Sequence, residues 1–460
     1  MSRFVIKFLI ATLLIIIIVI SYLSFVGIET DRFDNIIKKE ANKINVNVKL
    51  NFKKTKIHIN PTELNLTIKL QNPNIEIRKK EIILSKLNLF LPLKSFFTSD
   101  FILKKAEVAF YKNDIKDLTK ITNLFLHKIL NNQLNKVFLA GNIEGEFIIP
   151  FKADGKIGED YSFSGKITNA SINITKKLPI KNLTAEINHK KKKNDDIFEL
   201  LIKNGSIYEL SLAKSKIDLK RKKNLIEITS SLHTKGKFNS TELTKLSTFF
   251  KLNSNFTDAN GTIDLVTKVN FNLNKKFKIS NLQHLSEGNI DYLEFKIKEN
   301  KFINKYIKNF DSKIVLKDSK VRFKNSKTNH DFFIEGMIKK DETFDKIVIN
   351  ESYDYNKKIF DINGEFDLTN SKIEISNLNY VKNTGIKSRL ILNIKFVLNK
   401  YYNINNLDFT SGDDLINFSK VRLNKDFEVK NFKNLKIKTF KNKSKNNDFL
   451  VEKEKNIKIS

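Results

Sequence analysis

The sequence predicts a mainly β protein: an N-terminal transmembrane helix followed by an elongated, curved antiparallel β-sheet, groove-like or taco-like, with two or three short amphipathic helices. Three observations predict it. An uncharged apolar run fills Phe8 to Ile28. From Val46 onward, apolar residues recur at every second position, the period of a strand with one dry and one wet face. The 460 residues hold only 14 glycines and 5 prolines and no cysteine, so strands run long between few breakers, without disulfides or thiolate metal sites.

The first element is the run FLIATLLIIIIVISYLSFVGI. At about 1.5 Å per residue its roughly 21 residues reach about 31 Å, the thickness of a hydrocarbon core. Arg3 and Lys7 precede it; Glu29, Asp31 and Asp34 follow it, with Arg32 among them. That asymmetry orients the N-terminus to the cytoplasm and the bulk of the chain across the membrane. Ser24-Phe25-Val26-Gly27-Ile28-Glu29 offers no small-x-small cleavage site, so the run reads as an uncleaved anchor and not as a signal peptide. No second run of this length follows, which makes the protein single-pass. We divide the chain into a stub and anchor over 1–29, a membrane-proximal β region with amphipathic helices over 30–138, and repeated hairpins over 139–460.

After the anchor, Phe33, Ile36, Ile37, Ala41 and Ile44 fall at helical spacing, with Thr30 or Asp31 as N-cap. The period then becomes two. Val46, Val48, Leu50 and Phe52 form one apolar face; Leu64, Leu66, Ile68 and Leu70 form another. Ile82 to Leu93 mixes strand and turn around Pro92, and Phe101 to Tyr111 is a strand. Asp114 caps a helix to Val137, striped by Ile115, Leu118, Ile121, Leu124, Phe125, Ile129 and Leu130. Strands follow almost without interruption. A short helix over Thr241 to Phe250, capped by Ser240, separates them from the cleanest strand, in which Ile263, Leu265, Val269, Phe271 and Leu273 share a face. Lys372 to Leu378 continues in kind, and Leu390, Leu392, Ile394, Phe396 and Leu398 make another such face. Asn-Gly at 204–205, 260–261 and 363–364 suggests tight hairpin turns. Lys453 to Ser460 begins a further alternating run, so we expect an open edge that a further β chain or an envelope protein covers.

Chemistry is sparse. The six histidines, His58, His127, His189, His233, His284 and His330, include no pair at ligand spacing. There is no nucleophile elbow and no P-loop. Asp195-Asp196 and Asp413-Asp414 are neighbours whose side chains point apart on an extended chain, and they read as turn residues. We therefore expect no enzyme, no cofactor and no metal. The formal charge is +32. Lysine is spread through the chain, and Lys190 to Lys193 abuts Asp195 and Asp196. That points to A/T-rich codon usage and not to a nucleic-acid partner.

Many one-sided strands must hide their apolar faces, either on each other or on something apolar that is not protein. A curved sheet with an apolar concave side makes a trough for phospholipid acyl chains, with headgroups in water and the anchor holding its mouth at the bilayer. The groove residues are Val48, Leu50, Phe52, Leu64, Leu66, Ile68, Leu70, Ile263, Leu265, Val269, Phe271, Leu273, Leu390, Leu392, Ile394, Phe396 and Leu398. The alternative is a non-enzymatic β-rich scaffold for envelope assembly, whose apolar faces are core.

The order of elements resembles the N-terminal part of the AsmA-like family. It has an anchor, a short amphipathic helix and paired strands such as Val46–Phe52 and Leu64–Leu70. Then come Leu87-Asn-Leu-Phe-Leu-Pro-Leu93 and Phe101-Ile-Leu-Lys-Lys-Ala-Glu-Val-Ala-Phe110. Gly141-Asn-Ile-Glu-Gly-Glu-Phe-Ile-Ile-Pro150, Phe163-Ser-Gly-Lys-Ile-Thr-Asn-Ala-Ser-Ile172 and Leu178-Pro-Ile-Lys-Asn182 are similar to the larger, YhdP-type members. The resemblance runs over most of the chain and rests on pattern and order. It implies a bridge-like β-groove that carries phospholipid from the inner membrane through the periplasm toward the outer membrane of a Gram-negative bacterium. The larger members run much further, so the chain is expected to be one part of a longer architecture.

Overall fold

The computed structural model describes residues 3–44, 48–77, 80–96, 101–122, 138–175, 178–192, 195–222, 225–250, 256–274, 278–297, 312–340, 343–397, 399–441, 444–453 and 457–459. The protein is mainly β, with antiparallel strands throughout. Among the described residues its α-helices are α1 (Arg3–Phe25), α2 (Asp34–Ile44), α3 (Ile115–Thr122) and α4 (Ser240–Phe250). The chain divides into two compact units. One is Met1–Gly205 with Lys216–Ile226; the other is Ser206–Ser215 with Glu227–Ser460.

In the first unit, Ile6–Phe25 of α1 has a mean hydropathy of 2.8 and none of it is buried; it is long and apolar enough to cross a membrane. The helix stops at Gly27, whose φ of +75° no β-carbon tolerates well, and whose added Cβ would lie 2.6 Å from the Ile57 carbonyl oxygen. The chain turns directly into the strand Ile28–Thr30, which pairs with Lys54–Asn60. His58 Nδ1 lies 3.2 Å from the Ser24 carbonyl, one of the acceptors that a helix C-terminus leaves open. The span thus joins the sheet without a linker.

Lys54–Asn60, Asn65–Gln71, Lys80–Pro92, Lys105–Asp114, Phe138–Pro150, Ser162–Thr175 and Leu178–Lys192 then pair in antiparallel succession. The ladder crosses position 138 unbroken. Val48–Asn51 pairs with Asn74–Ile77 and not with Asn65–Gln71, so the two strands taken as partners are separate. Ile82 to Leu93, expected to mix strand and turn, is strand up to its proline: Lys80–Pro92 is one strand that ends where the missing N–H costs least, and a 3-10 turn over Leu93–Phe96 follows. α3 keeps its expected cap, with the Lys116 N–H donating to Asp114 Oδ1 at 2.7 Å. The expected continuation over 123–137, with Leu124, Phe125, Ile129 and Leu130, lies outside the described residues, as does Val46.

In the second unit a meander runs from Phe256–Asn274 through Ile279–Ile297, Lys313–Asn325, Asn329–Lys340, Thr343–Asp354, Ile359–Asp367, Ser388–Val397, Tyr401–Ser411 and Asp414–Asn424 to Asn434–Lys441 and Ser444–Lys453. α4 is capped one residue earlier than expected. The Glu242 N–H donates to Asn239 Oδ1 and the Asn239 N–H to Glu242 Oε2, both at 3.1 Å, a reciprocal capping box.

None of the three Asn-Gly pairs turns the chain. Each lies inside a strand: Asp195–Ile207, Phe256–Asn274 and Ile359–Asp367. Two of these glycines serve close approach instead. A Cβ on Gly364 would meet the Phe366 ring at 2.6 Å, and one on Gly261 the Phe238 ring at 3.1 Å, so these two are roofed by an aromatic side chain, while Gly205 lies against Leu183.

Candidate functional site

The apolar face predicted as a groove has two different states. Around the first strands it is a closed core. Leu66 and Ile68 are 0% exposed, and with Leu50 and Leu70 they pack against Phe33 and Ile37 of the α2 segment, while Phe52, Phe101 and Leu103 close the periphery. Protein fills this part of the face. Leu64 is a correction: it lies in the turn before Asn65–Gln71, with φ +48° and 65% exposure, so it belongs to neither face. The strand begins one residue later than the alternation suggests because the chain must reverse after Asn60. The Val48 side chain and all of Leu398 lie outside the described residues.

In the second unit the predicted groove residues are half-buried, while Ile290, Leu316, Ile334, Ile347, Phe409 and Ile416 on the same face are buried. Ile263, Leu265, Val269, Phe271 and Leu273, and Leu390, Leu392, Ile394 and Phe396, are all of intermediate exposure. Register joins them into one surface. Ile263 stands opposite Ile290, Val321 opposite Ile334, and Ile334 opposite Ile349. Phe366 stands opposite Leu390, Leu390 opposite Phe409, and Ile394 opposite Ile362 and Ile404. Bulges keep the apolar residues on one side when their parity changes. Leu316 and Val321 share a face because Asp318, at φ +46°, absorbs the extra residue.

Two features bound this surface. Along one margin, aromatic rings from successive strands touch in an unbroken row. His284–Phe323 centroids are 5.4 Å apart, Phe323–His330 5.8 Å, His330–Tyr353 5.4 Å, Tyr353–Phe360 4.2 Å, Phe360–Phe396 4.9 Å and Phe396–Tyr402 5.4 Å. Phe427, in the turn after Asp414–Asn424, ends the row at 4.5 Å from Tyr402. These residues sit at strand ends, next to the turns, where rings with polar atoms suit a boundary between apolar surface and water.

At the opposite ends of the strands a hairpin crosses the face. Lys372 to Leu378 does not continue the meander. Ile373–Ile375 and Tyr380–Lys382 form a separate two-stranded unit. Tyr380 packs with Phe409, Ile416 and Ile437, and Ile373, Ile375 and Leu378 join them. The hairpin is fixed by polar groups. Lys382 is 1% exposed, and its ammonium donates to the carbonyls of Thr369 at 2.7 Å, Ser371 at 2.8 Å and Leu368. The Tyr380 hydroxyl donates to Asp414 Oδ2 at 3.0 Å, and burial raises its pKa. The Ser371 hydroxyl and the Asn370 N–H hold Asp345, and Asn447 donates to the Leu378 carbonyl at 2.9 Å. Asp414, read from sequence as a turn residue, is an anchor point.

The opposite face of this sheet is polar. A cleft of about 560 Å³ there is lined by Lys346, Glu365, Asp367 and Arg389 among others, with Arg389 and Glu365 paired at 2.8 Å. Asp195 and Asp196, read as turn residues, open the strand Asp195–Ile207, and Asp196 lies 2.7 Å from His189. Among the described residues no group of three or more acids and histidines could hold a metal ion.

Sequence reasoning found the aliphatic strips and missed both boundaries. The aromatic row was visible only as aromatic residues flanking short turns, such as Tyr353 and Phe360, or Phe396 and Tyr402. The hairpin carried no signal apart from its polar, asparagine-rich frame. No family model matches the chain, and no characterised protein matches its sequence.

Proposed function

We propose that the chain is a membrane-anchored, non-enzymatic protein that binds phospholipid acyl chains on the apolar face of its antiparallel sheet and conducts them along it. The carrying observation is the half-buried strip of the second unit, with aliphatic side chains in the middle and aromatic rings along one margin, while Lys346, Glu365, Asp367 and Arg389 line the other face. A folded sheet gains little from leaving such a strip beside water. An acyl chain laid on it recovers about 0.8 kcal/mol per buried CH₂, much as in a bilayer, so transfer between the two is nearly balanced and needs no catalytic group. The apolar α1, wired into the sheet through Gly27 and His58, supports a source at the membrane. The resemblance to AsmA-like proteins supports the direction, from the inner membrane through the periplasm toward the outer membrane.

The scaffold reading has one observation in its favour: Leu66, Ile68 and their neighbours, and the patch under Tyr380, are covered by protein. Lipid mass spectrometry on the full chain, purified in mild detergent and then exchanged out of it, separates the two. Several phospholipids per chain are expected. A monodisperse, lipid-free protein would overturn the groove and leave the scaffold.

A further inference from the structure

We propose that the corner formed by Glu351, His330, Tyr353 and Tyr355 holds the ammonium group of a zwitterionic phospholipid headgroup, so that the groove prefers amine-bearing lipids to anionic ones. This rests on the lipid-binding reading above.

Glu351 stands opposite Phe332 on one side and Ile362 on the other, which places its carboxylate on the apolar face. Asp345 and Asp414 also stand on that face, but both are taken up by the hairpin. Glu351 has a different setting. Among the described residues its one hydrogen-bond partner is His330, whose Nε2 lies 3.1 Å from Oε1. The other oxygen is left for a donor from outside. The rings around it form two walls. Tyr355 stands at 89° to Tyr353 with centroids 5.2 Å apart, and at 70° to His330 with centroids 5.7 Å apart. Tyr355 is 38% exposed, so the corner opens to water. Asn325 and His330 hold the Tyr355 hydroxyl at 3.0 and 3.2 Å.

A carboxylate beside tyrosine faces set at right angles offers a cation both a charge-assisted hydrogen bond and the negative faces of the rings. The corner lies in the aromatic row, where a headgroup would sit if its acyl chains lay on the half-buried Ile349 and Ile362. An ammonium fits this setting. A headgroup carrying only a phosphate and hydroxyls meets a like charge. The net charge of +32 would by itself draw anionic lipids, so a lone acid inside the apolar row works against that background.

The test incubates the full chain in mild detergent with vesicles of equal parts phosphatidylethanolamine and phosphatidylglycerol, re-isolates it and counts bound lipids by mass spectrometry. The wild type should hold the two lipids in an ethanolamine-to-glycerol ratio about fivefold that of the vesicles. Glu351→Gln should bring the ratio down to that of the vesicles with total lipid unchanged. Tyr355→Leu, at a half-exposed ring that folding tolerates, should move it the same way. Glu365→Gln, on the polar face, should leave it alone. Equal binding of both lipids by the wild type, or unchanged selectivity in both corner variants, would overturn the proposal. A lipid-free wild type would overturn the lipid-binding reading, and the selectivity with it.

Discussion

Two leucine-rich strips with the same alternation have opposite physical situations, and single residues show it. Leu66 touches only protein, so Leu66→Ala should leave a cavity and cost about 3 kcal/mol. Ile394 is half-buried on the open strip, and Ile394→Ala should cost about 1 kcal/mol, because the site already faces water or lipid. Urea unfolding of the two variants in one detergent measures the difference; equal losses would mean that the strip is core. His284 sits on the same strip, opposite Val269 and 3.0 Å from the Ser286 hydroxyl, and burial pushes its pKa down. A depressed histidine contributes stability that is present above its unfolded pKa, near 6.5, and is lost as pH falls through the folded value. The melting temperature should therefore drop as pH falls from neutral, and His284→Phe, which keeps the ring beside Phe323, should flatten that drop.

Among the elements, the hairpin Ile373–Lys382 is the one whose position most constrains the face. It packs three aliphatic side chains and Tyr380 onto the sheet. Its hold depends on Lys382, which neutralises three carbonyl dipoles in a place closed to water. Removing one partner of such a group leaves the others unpaired, so Lys382→Ala should destabilise the protein by about 3 kcal/mol. Hydrogen exchange should rise first at the amides of 369–388, and exchange spread evenly over the unit would contradict an anchoring role. Local pattern could not reveal this hairpin. Ile373 and Ile375 alternate like any meander strand, and what separates them is the partner they find. The Asn-Gly pairs fail as turn signals for a related reason. The dipeptide permits a tight turn, but Phe366 and Phe238 need its missing side chain for their rings, and that demand comes from across the sheet.

For the whole molecule, the groove reading makes one demand: a charge on the open strip must be tolerated by the fold and resented by the ligand. Val269→Lys can lay its methylene stem along the strip and reach water with its ammonium, so the loss of stability should stay below about 2 kcal/mol. The number of bound phospholipids should fall. A variant that fails to fold would place Val269 in a packed core and favour the scaffold.

The sequence by itself determined the class of the protein: a span of uncharged residues, a two-residue period over most of the chain, and no thiol. Within each unbroken strand it also determined which side chains share a face, since alternation is a property of the extended backbone; across a bulge such as that at Asp318 only the pairing decided it. Tertiary structure decided what covers each face. Leu66 and Val269 carry the same local signature. The packing of Phe33 and Ile37 makes Leu66 a core residue, whereas among the described residues Val269 is left half-buried. Burial depends on partners distant in sequence, and periodicity holds no record of them.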